Sequence, residues 1–393
     1  MSEIDFNALP GTEMIRFVCA QPGNTPQLAL VFKRAFTIAS TGRCELTEEA
    51  LQLQDDVTLW EAERPLPLVS PPRWDADLYA FKPATDIVVQ GHAYAYNAIP
   101  TVDVELRAGP ITRVVRVHGD RHLEWTGQKA AFTPPAPFMK MPLRYDRAYG
   151  GVDTVALARE GDPLVKAFQA AQPRFADIVA GNTEFHYPRN PSGCGYLMTA
   201  DRESIEAAKV PNLEFPFDPV TPERLAVGKP EAWLRAPLPA GFDWYHPSWF
   251  PRLAFAGQVH EHEKIAGDVP ETRQGWIPPD ILTLSQGRFP FFDLRFQQGA
   301  SPGLAISNFP PDAELFLKNL FPSVPEKRLR LPGTLPKVTI ALKPSDQRET
   351  RTKLTAVVVQ PDENRVILVY AAICEVSRRY GNHEMAVMKW SIA

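Results

Sequence analysis

Residues 85–126 read TDIVVQGHAYAYNAIPTVDVELRAGPITRVVRVHGDRHLEWT and contain the clearest secondary-structure signal in the chain. Apolar and charged residues alternate without interruption over residues 102–107, and Ala108-Gly109-Pro110 then supplies a turn before residues 111–118. Alternation with a period of two places every second side chain on one face of a strand, and turn residues at intervals of about 8–12 positions join such strands in antiparallel order. This stretch therefore predicts an antiparallel β meander.

A second β region is expected near the C-terminal end. Residues 354–360 are joined through Pro361-Asp362-Glu363-Asn364 to the apolar run at 366–374, and residues 337–342 alternate in polarity. Proline presets one backbone dihedral angle, and the Asp and Asn side chains can cap a turn. Residues 292–296 and 313–317 are candidates for further strands, although the second of these segments also fits a helix.

Proline is unusually frequent, with 40 among 393 residues, and it breaks helix interiors. Short helices are expected at 162–171 and at 201–208, the latter opened by Asp201 as N-cap. We predict a mainly β (β-rich α+β) protein with an antiparallel meander, a C-terminal β layer and a sandwich- or barrel-like arrangement. Within one unit of residues 1–393 we expect an N-terminal β region (1–126), a loop-rich middle region (127–280) and a C-terminal β region (281–393).

The charge balance argues against binding to nucleic acid or to an anionic membrane surface. The chain has 42 Lys and Arg against 46 Asp and Glu, a formal net charge of −4, whereas such binders usually carry a basic stripe. The longest apolar run, 366–374, is about half the length of a membrane-spanning helix. The four cysteines are far apart, a spacing that favours neither a disulfide framework nor a zinc site. We therefore expect a cytoplasmic protein without membrane insertion.

Two segments resemble catalytic or metal sites. His260 and His262 would share a face if they lay on a strand, and imidazoles bind zinc or iron, but the spacing indicates no third ligand and a solvated loop is the alternative. Cys194 lies between two glycines in Ser192-Gly193-Cys194-Gly195, where a nucleophile could be exposed. A tight turn after Asn190-Pro191 explains those glycines without catalysis. We expect no catalytic residue, no metal and no cofactor.

Large aromatic residues are concentrated at positions 242–250, where the sequence reads FDWYHPSWF. Burial in the core is one interpretation. The other is a partly exposed patch that anchors a protein partner, with Trp244, Tyr245, Trp249 and Phe250 as the candidate contact residues. A carbohydrate-binding module that stacks sugars on Trp244 and Trp249 is a further alternative.

Several segments, in this order along the chain, resemble a bacterial family known as domain of unknown function 2169. They read KPATDIVVQGHAYA (82–95), GDR (119–121), PFMKMPLRYDRAYGG (137–151), NPSGCGY (190–196), PNLE (211–214) and WFPR (249–252). The family motifs include the following residues, for which we expect a structural role: Lys82, Asp86, Gly91, Asp120, Arg121, Pro142, Arg147, Tyr149, Gly150, Gly151, Asn190, Pro191, Gly193, Gly195 and Arg252.

The resemblance implies a role in type VI secretion, because members of that family are similar to adaptors or chaperones that help load toxic effectors onto the spike protein. The implied partners are therefore an effector toxin and a spike protein, and the implied role is non-catalytic. Two features depart from the family pattern. The pentapeptide-repeat extension of some relatives is missing, and the segment around 260–272 looks divergent. The competing hypothesis is a metal-dependent hydrolase or transferase that uses His260 and His262.

Overall fold

The structure is a computed structural model that describes residues 4–5, 14–19, 27–49, 51–60, 70–153, 155, 186–198, 201–226, 235–257, 293–343, 346–375 and 388–391. Strands dominate this part of the chain. In chain order the strands are β1 (Ile4–Asp5), β2 (Met14–Cys19), β3 (Gln27–Ile38), β4 (Cys44–Leu46), β5 (Thr58–Leu59), β6 (Pro72–Trp74), β7 (Thr85–Val89), β8 (His92–Ile99), β9 (Thr101–Ala108), β10 (Ile111–His118), β11 (Leu123–Thr126), β12 (Lys129–Phe132), β13 (Phe138–Pro142), β14 (Tyr149–Gly150), β15 (Cys194–Gly195), β16 (Leu213–Glu214), β17 (Ala305–Ile306), β18 (Glu314–Lys318), β19 (Glu326–Arg330), β20 (Lys337–Lys343), β21 (Asp346–Arg351), β22 (Lys353–Gln360), β23 (Arg365–Glu375) and β24 (Met388–Ser391). A short α-helix, α1, spans Arg202–Ala207, and 3-10 turns span Tyr145–Arg147, Pro222–Arg224, Arg252–Ala256, Leu294–Gln297 and Pro361–Glu363.

The largest sheet forms the centre of the fold. Its strand order is β17-β7-β22-β23-β3-β2, with β4 added beside β3. All five residues of β7 are buried, as are nearly all residues of β3, β22 and β23, so both faces of this sheet are covered. Continuous runs of Val, Ile, Leu and Ala suit such a position, because few side chains on these strands meet water.

A second sheet has the order β16-β10-β9-β18-β19 and is buried on one face only. Val104, Leu106, Val115 and Leu317 point inward and join the same hydrophobic core as the largest sheet. The charged side chains between them in the sequence point to the outer face, where Arg116 makes a bidentate ion pair with Asp103 at 2.9 and 3.0 Å. The prediction of a mainly β protein is confirmed, and the sheets of the described residues do not close into a barrel.

The predicted meander does not form one sheet. Strands β9 and β10 pair as expected across Gly109, but β7 pairs in parallel with β22, and β8 pairs with β13. The reason is burial: every residue of β7 is buried, so the strand lies inside the largest sheet with a neighbouring strand on each side, whereas the last four residues of β8 are exposed. In both large sheets, strands from the N-terminal part of the chain therefore pair with strands from the C-terminal part, as β7 does with β22 and β9 with β18.

Most local predictions agree with the structure. The Asp201 side chain accepts a hydrogen bond from the Ser204 N–H at the start of α1, and residues 314–318 form strand β18. Asn364 closes the turn at 361–364 with a φ of 52°. The strand expected at 292–296 is wrong, because residues 294–297 form a 3-10 turn capped by Asp293. The helix expected at 162–171 lies outside the described residues.

A smaller hydrophobic cluster packs beside the main core. It combines Tyr149, Tyr187, Tyr196 and Ile205 with Trp125 of the β11/β12 hairpin. It joins α1 to the glycine-rich strands β14 and β15. No helix of the described residues is long and apolar enough to cross a membrane.

Candidate partner-binding surface

Three of the family-motif residues, Lys82, Asp86 and Arg252, take part in a buried ionic network beside strand β7 of the largest sheet. Lys82 Nζ lies 2.7 Å from Asp86 Oδ2, and Arg252 forms a two-pronged pair with Asp75 at 3.0 and 3.1 Å. Lys82 Nζ is also 3.7 Å from Asp75 Oδ2, which joins the two pairs. Asp86 accepts two further hydrogen bonds, from Gln298 Nε2 and the Gly299 N–H. Removing one partner of this network would leave a buried charge uncompensated, which is strongly destabilising.

The glycines of the AYGG and NPSGCG motifs form a close backbone junction. Strands β14 and β15 pair in parallel, and the buried Asn190 side chain donates to the Tyr145 and Tyr149 carbonyls at 2.9 and 3.0 Å. A Cβ atom at Gly150 would lie 2.2 Å from the Asn190 carbonyl oxygen, and one at Gly151 would lie 2.3 Å from that of Gly193. The glycines permit this approach, which supports the tight-turn interpretation of Gly193, Cys194 and Gly195. Pro191 begins that turn.

A third motif cluster connects GDR with PNLE. Arg121 reaches Glu214 at 3.5 Å, and Asn212 Nδ2 donates to Asp120 Oδ1 at 3.1 Å. Arg147 lies 3.7 Å from Asp120 as well. Burial alone would raise the pKa of Glu214, but hydrogen bonds from His118 and the Val220 N–H, with the charge of Arg121, hold it below its ordinary value. These contacts tie the second sheet to the loops around it.

The expected aromatic contact patch is corrected by the structure. Trp244, Tyr245, Trp249 and Phe250 are all at most 3% exposed. The rings of Tyr245 and Trp249 pack edge to face with a centroid distance of 5.2 Å, and the Tyr245 hydroxyl donates to the Phe250 carbonyl at 2.8 Å. Edge-to-face packing of several rings in a core contributes strongly to stability. A partner or a sugar therefore cannot reach these side chains in this conformation.

The two histidines of the metal hypothesis, His260 and His262, lie outside the described residues. Elsewhere, within the described ranges, no group of three or more His, Cys, Asp or Glu side chains converges as metal ligands would. Cys194 is buried, and its N–H donates to the Ala148 carbonyl at 3.0 Å.

The partly exposed Tyr94 and the exposed Tyr96 lie on a two-stranded ribbon. Strand β8 pairs with β13, which places Tyr94 opposite Lys140 and His92 opposite Pro142. Ala93 and Ala95 face the core, so the intervening His92, Tyr94 and Tyr96 face outward. We define the ribbon surface as the following exposed or partly exposed side chains: His92, Tyr94, Tyr96, Ile99, Met139 and Lys140.

Asp362 organises the middle of the ribbon surface. His92 Nδ1 lies 2.5 Å from Asp362 Oδ2, the Tyr94 hydroxyl donates to Asp362 Oδ1 at 2.7 Å, and Lys140 Nζ is 3.8 Å from Oδ2. Burial by itself would raise the pKa of Asp362, but the hydrogen bonds from His92 and Tyr94 lower it below the ordinary value. The carboxylate therefore stays ionised and fixes the orientation of both rings.

Beyond Pro142 the chain leads to a second exposed group of side chains. Leu143 is buried and its N–H donates to the Gly91 carbonyl, so the partly exposed Arg144 follows Pro142 on the outer side. Arg144 pairs with Asp146 at 2.6 Å, and its guanidinium lies 5.7 Å from the ring centre of Trp60. The ribbon surface thus runs towards Trp60.

Sequence reasoning missed the ribbon surface, although part of its signal was present. The HAYAY segment alternates small alanines with His92, Tyr94 and Tyr96, which indicates a strand with an aromatic outer face. No sequence pattern indicated that Asp362 would lie beside this strand. It was expected to cap its own turn, and it instead bonds to residues about 270 positions away.

A family model described as an uncharacterised protein conserved in bacteria, DUF2169, matches residues 23–371. The chain belongs to this family. The DUF2169 match covers the second sheet, the largest sheet except β2 and the end of β23, and every motif cluster described above. Comparisons with curated proteins and with solved structures give no match for this DUF2169 chain.

Proposed function

We propose that this DUF2169 protein is a non-catalytic adaptor that binds an effector toxin and assists its loading onto the spike of a type VI secretion system. The resemblance of the ordered motifs to such adaptors supports the proposal. The geometry is consistent with it, because most of the described motif residues with polar side chains, among them Lys82, Asp86 and Arg252, are buried in the fold. Hydrogen bonds and ion pairs, such as those of the ionic network around Asp75 and Asp86, fix the positions of these residues inside the protein.

The observation that carries the proposal is the ribbon surface. Tyr96, Ile99 and Met139 are 40%, 37% and 59% exposed, and they lie beside the charged Lys140 and Asp362. Tyrosine and methionine are enriched at protein interfaces, where a central apolar group is surrounded by a polar rim. The Tyr96 hydroxyl donates to the Phe321 carbonyl at 2.7 Å, which fixes the ring before a partner arrives.

Contact through side chains suits this ribbon better than addition of a strand. The free edge of β13 carries Lys140 and Pro142, and the register shifts between Phe138 and Lys140. A proline has no N–H to donate, and charges and bulges discourage pairing at a sheet edge. The partner is therefore expected to rest on the Tyr96 and Met139 side chains.

The test is co-expression with a type VI effector encoded in the same gene neighbourhood, followed by purification through a tag on the adaptor. The wild type is expected to retain the effector. A Tyr96→Ala, Met139→Ala double variant is expected to lose most of it, because truncation of anchor residues costs about 2 kcal/mol or more each.

A Leu46→Ala, Leu335→Ala double variant is the matched control, since both leucines are also exposed, at 53% and 38%. It should retain the effector. The proposed function would be contradicted if the wild type does not retain the effector and co-expression does not change the amount of effector in the cells. Equal retention of the effector by the two double variants would show that the effector does not bind at the ribbon surface.

A further inference from the structure

An exposed arginine without a described acidic partner lies against Trp60. The Arg73 guanidinium is 5.2 Å from the centre of the Trp60 ring. Within the described ranges, no carboxylate lies at ion-pair distance from Arg73, whereas Arg144, against the same ring, pairs with Asp146. Stacking on an indole holds a guanidinium flat and leaves its N–H donors free at the edge.

Hydrogen bonds fix the position of Trp60, the residue that Arg73 contacts. Trp60 Nε1 donates to Asp243 Oδ2 at 3.4 Å, and the Trp60 N–H donates to the Pro71 carbonyl at 3.0 Å. Gln90 Nε2 donates both to the Arg73 carbonyl at 2.5 Å and to Asp243 Oδ1 at 2.8 Å. The backbone and the supporting ring are thus fixed before any ligand binds, which lowers the entropy lost on binding.

We infer that Arg73 on Trp60 binds an acidic side chain of a polypeptide partner. A planar guanidinium matches a carboxylate with two parallel hydrogen bonds. Leu59, which precedes Trp60 in the chain, is exposed and offers an apolar contact that a peptide can use. A polypeptide is favoured over nucleic acid because nucleic-acid binders usually carry a basic stripe, whereas this chain has no excess of Lys and Arg, with 42 against 46 Asp and Glu. That the acidic segment belongs to an effector rests on the proposed function.

The experiment uses the full chain and a deca-glutamate peptide as probe, with deca-lysine and oligothymidylate as comparisons. Affinity is measured by calorimetry at low and at physiological salt. The indole N–H signal of Trp60, assigned with Trp60→Phe, reports the location. Deca-glutamate should shift this signal, and Arg73→Gln should weaken binding by about tenfold, the loss of one charge-assisted contact.

Two variants control for charge and folding. Arg43→Gln removes another exposed arginine and should bind like the wild type, while Arg73→Lys keeps the charge without the planar stack and should fall between wild type and Arg73→Gln. The inference is overturned if deca-glutamate leaves the Trp60 signal unchanged, if Arg73→Gln binds it equally well, or if oligothymidylate binds more tightly. Effector retention without acidic-peptide binding refutes this inference alone; peptide binding without effector retention refutes the proposed function alone.

Discussion

Replacing Asp243 with asparagine is expected to change how the stability of the protein depends on pH. The carboxyl group is buried, and its hydrogen-bond donors are Gln90 Nε2, the Trp244 N–H and Trp60 Nε1. Burial raises the pKa of Asp243 from 3.8 to about 7, although these donors and the charge of Arg144 act in the opposite direction. Near neutral pH the folded protein therefore holds a proton that the unfolded chain has released.

The sign and the size follow from this difference. Because the folded-state pKa lies above the unfolded value, stability falls as pH rises through the interval between them. The full shift corresponds to roughly 4 kcal/mol, and about 3 kcal/mol of it is lost between pH 5 and 8. The asparagine side chain of the Asp243→Asn variant does not ionise, and its amide oxygen can still accept from Gln90 and from Trp244. The variant should therefore be the more stable protein at pH 8.

The assay is denaturant unfolding of wild type and Asp243→Asn from pH 5 to pH 8. The difference in free energy of unfolding between the two proteins should move by about 3 kcal/mol in favour of the variant across this range. Asp55→Asn, which removes an exposed carboxylate, corrects for the change in net charge. A difference that is the same at pH 5 and pH 8 would show that Asp243 does not titrate as its burial requires.

Two further stability predictions test the motif residues. Gly150→Ala places a side chain at a φ of 144° and in steric overlap with the Asn190 carbonyl oxygen, so the variant should have a clearly lower melting temperature than the wild type. Gly127→Ala is the control, because Gly127 also has a positive φ but a Cβ atom there would have no neighbouring atom within 4 Å. Similar losses in melting temperature for the two variants would contradict the role of the close junction. Asp75→Ala leaves the buried Arg252 unpaired and should cost about 3–5 kcal/mol in denaturant unfolding. Glu314→Ala breaks an exposed pair and should cost under about 1 kcal/mol, and an equal cost for both variants would refute the ionic network as a brace.

Local features of the fold were predictable where neighbouring residues decide the structure. The alternation at 102–107 identified the two faces of β9, and Asp201 marked the start of α1. The partners of each strand were not predictable in this way. β7 lies beside β22, about 270 residues later, because both need burial on two faces.

The candidate site shows the same division. A structural role for the motif residues stays a prediction, and the buried contacts of Lys82, Arg121 and Asn190 are consistent with it. Of the two interpretations of residues 242–250, the structure agrees with burial and contradicts an exposed contact patch. A cluster of rings reads the same in sequence whether it is exposed or buried, and the burial of Trp244 depends on Trp74 and on the network around Asp75.

The amino-acid sequence by itself determined that this is a mainly β protein, where its turns lie and to which family it belongs, because periodicity and turn chemistry act over a few residues. Only the tertiary structure decided which side chains meet solvent. Tyr96 and Met139 are exposed because β8 pairs with β13, and Arg73 lies over the Trp60 ring because β5 pairs with β6. Each pairing joins strands separated by intervening chain, so no pattern over a few residues specifies it, and packing of the core decides it.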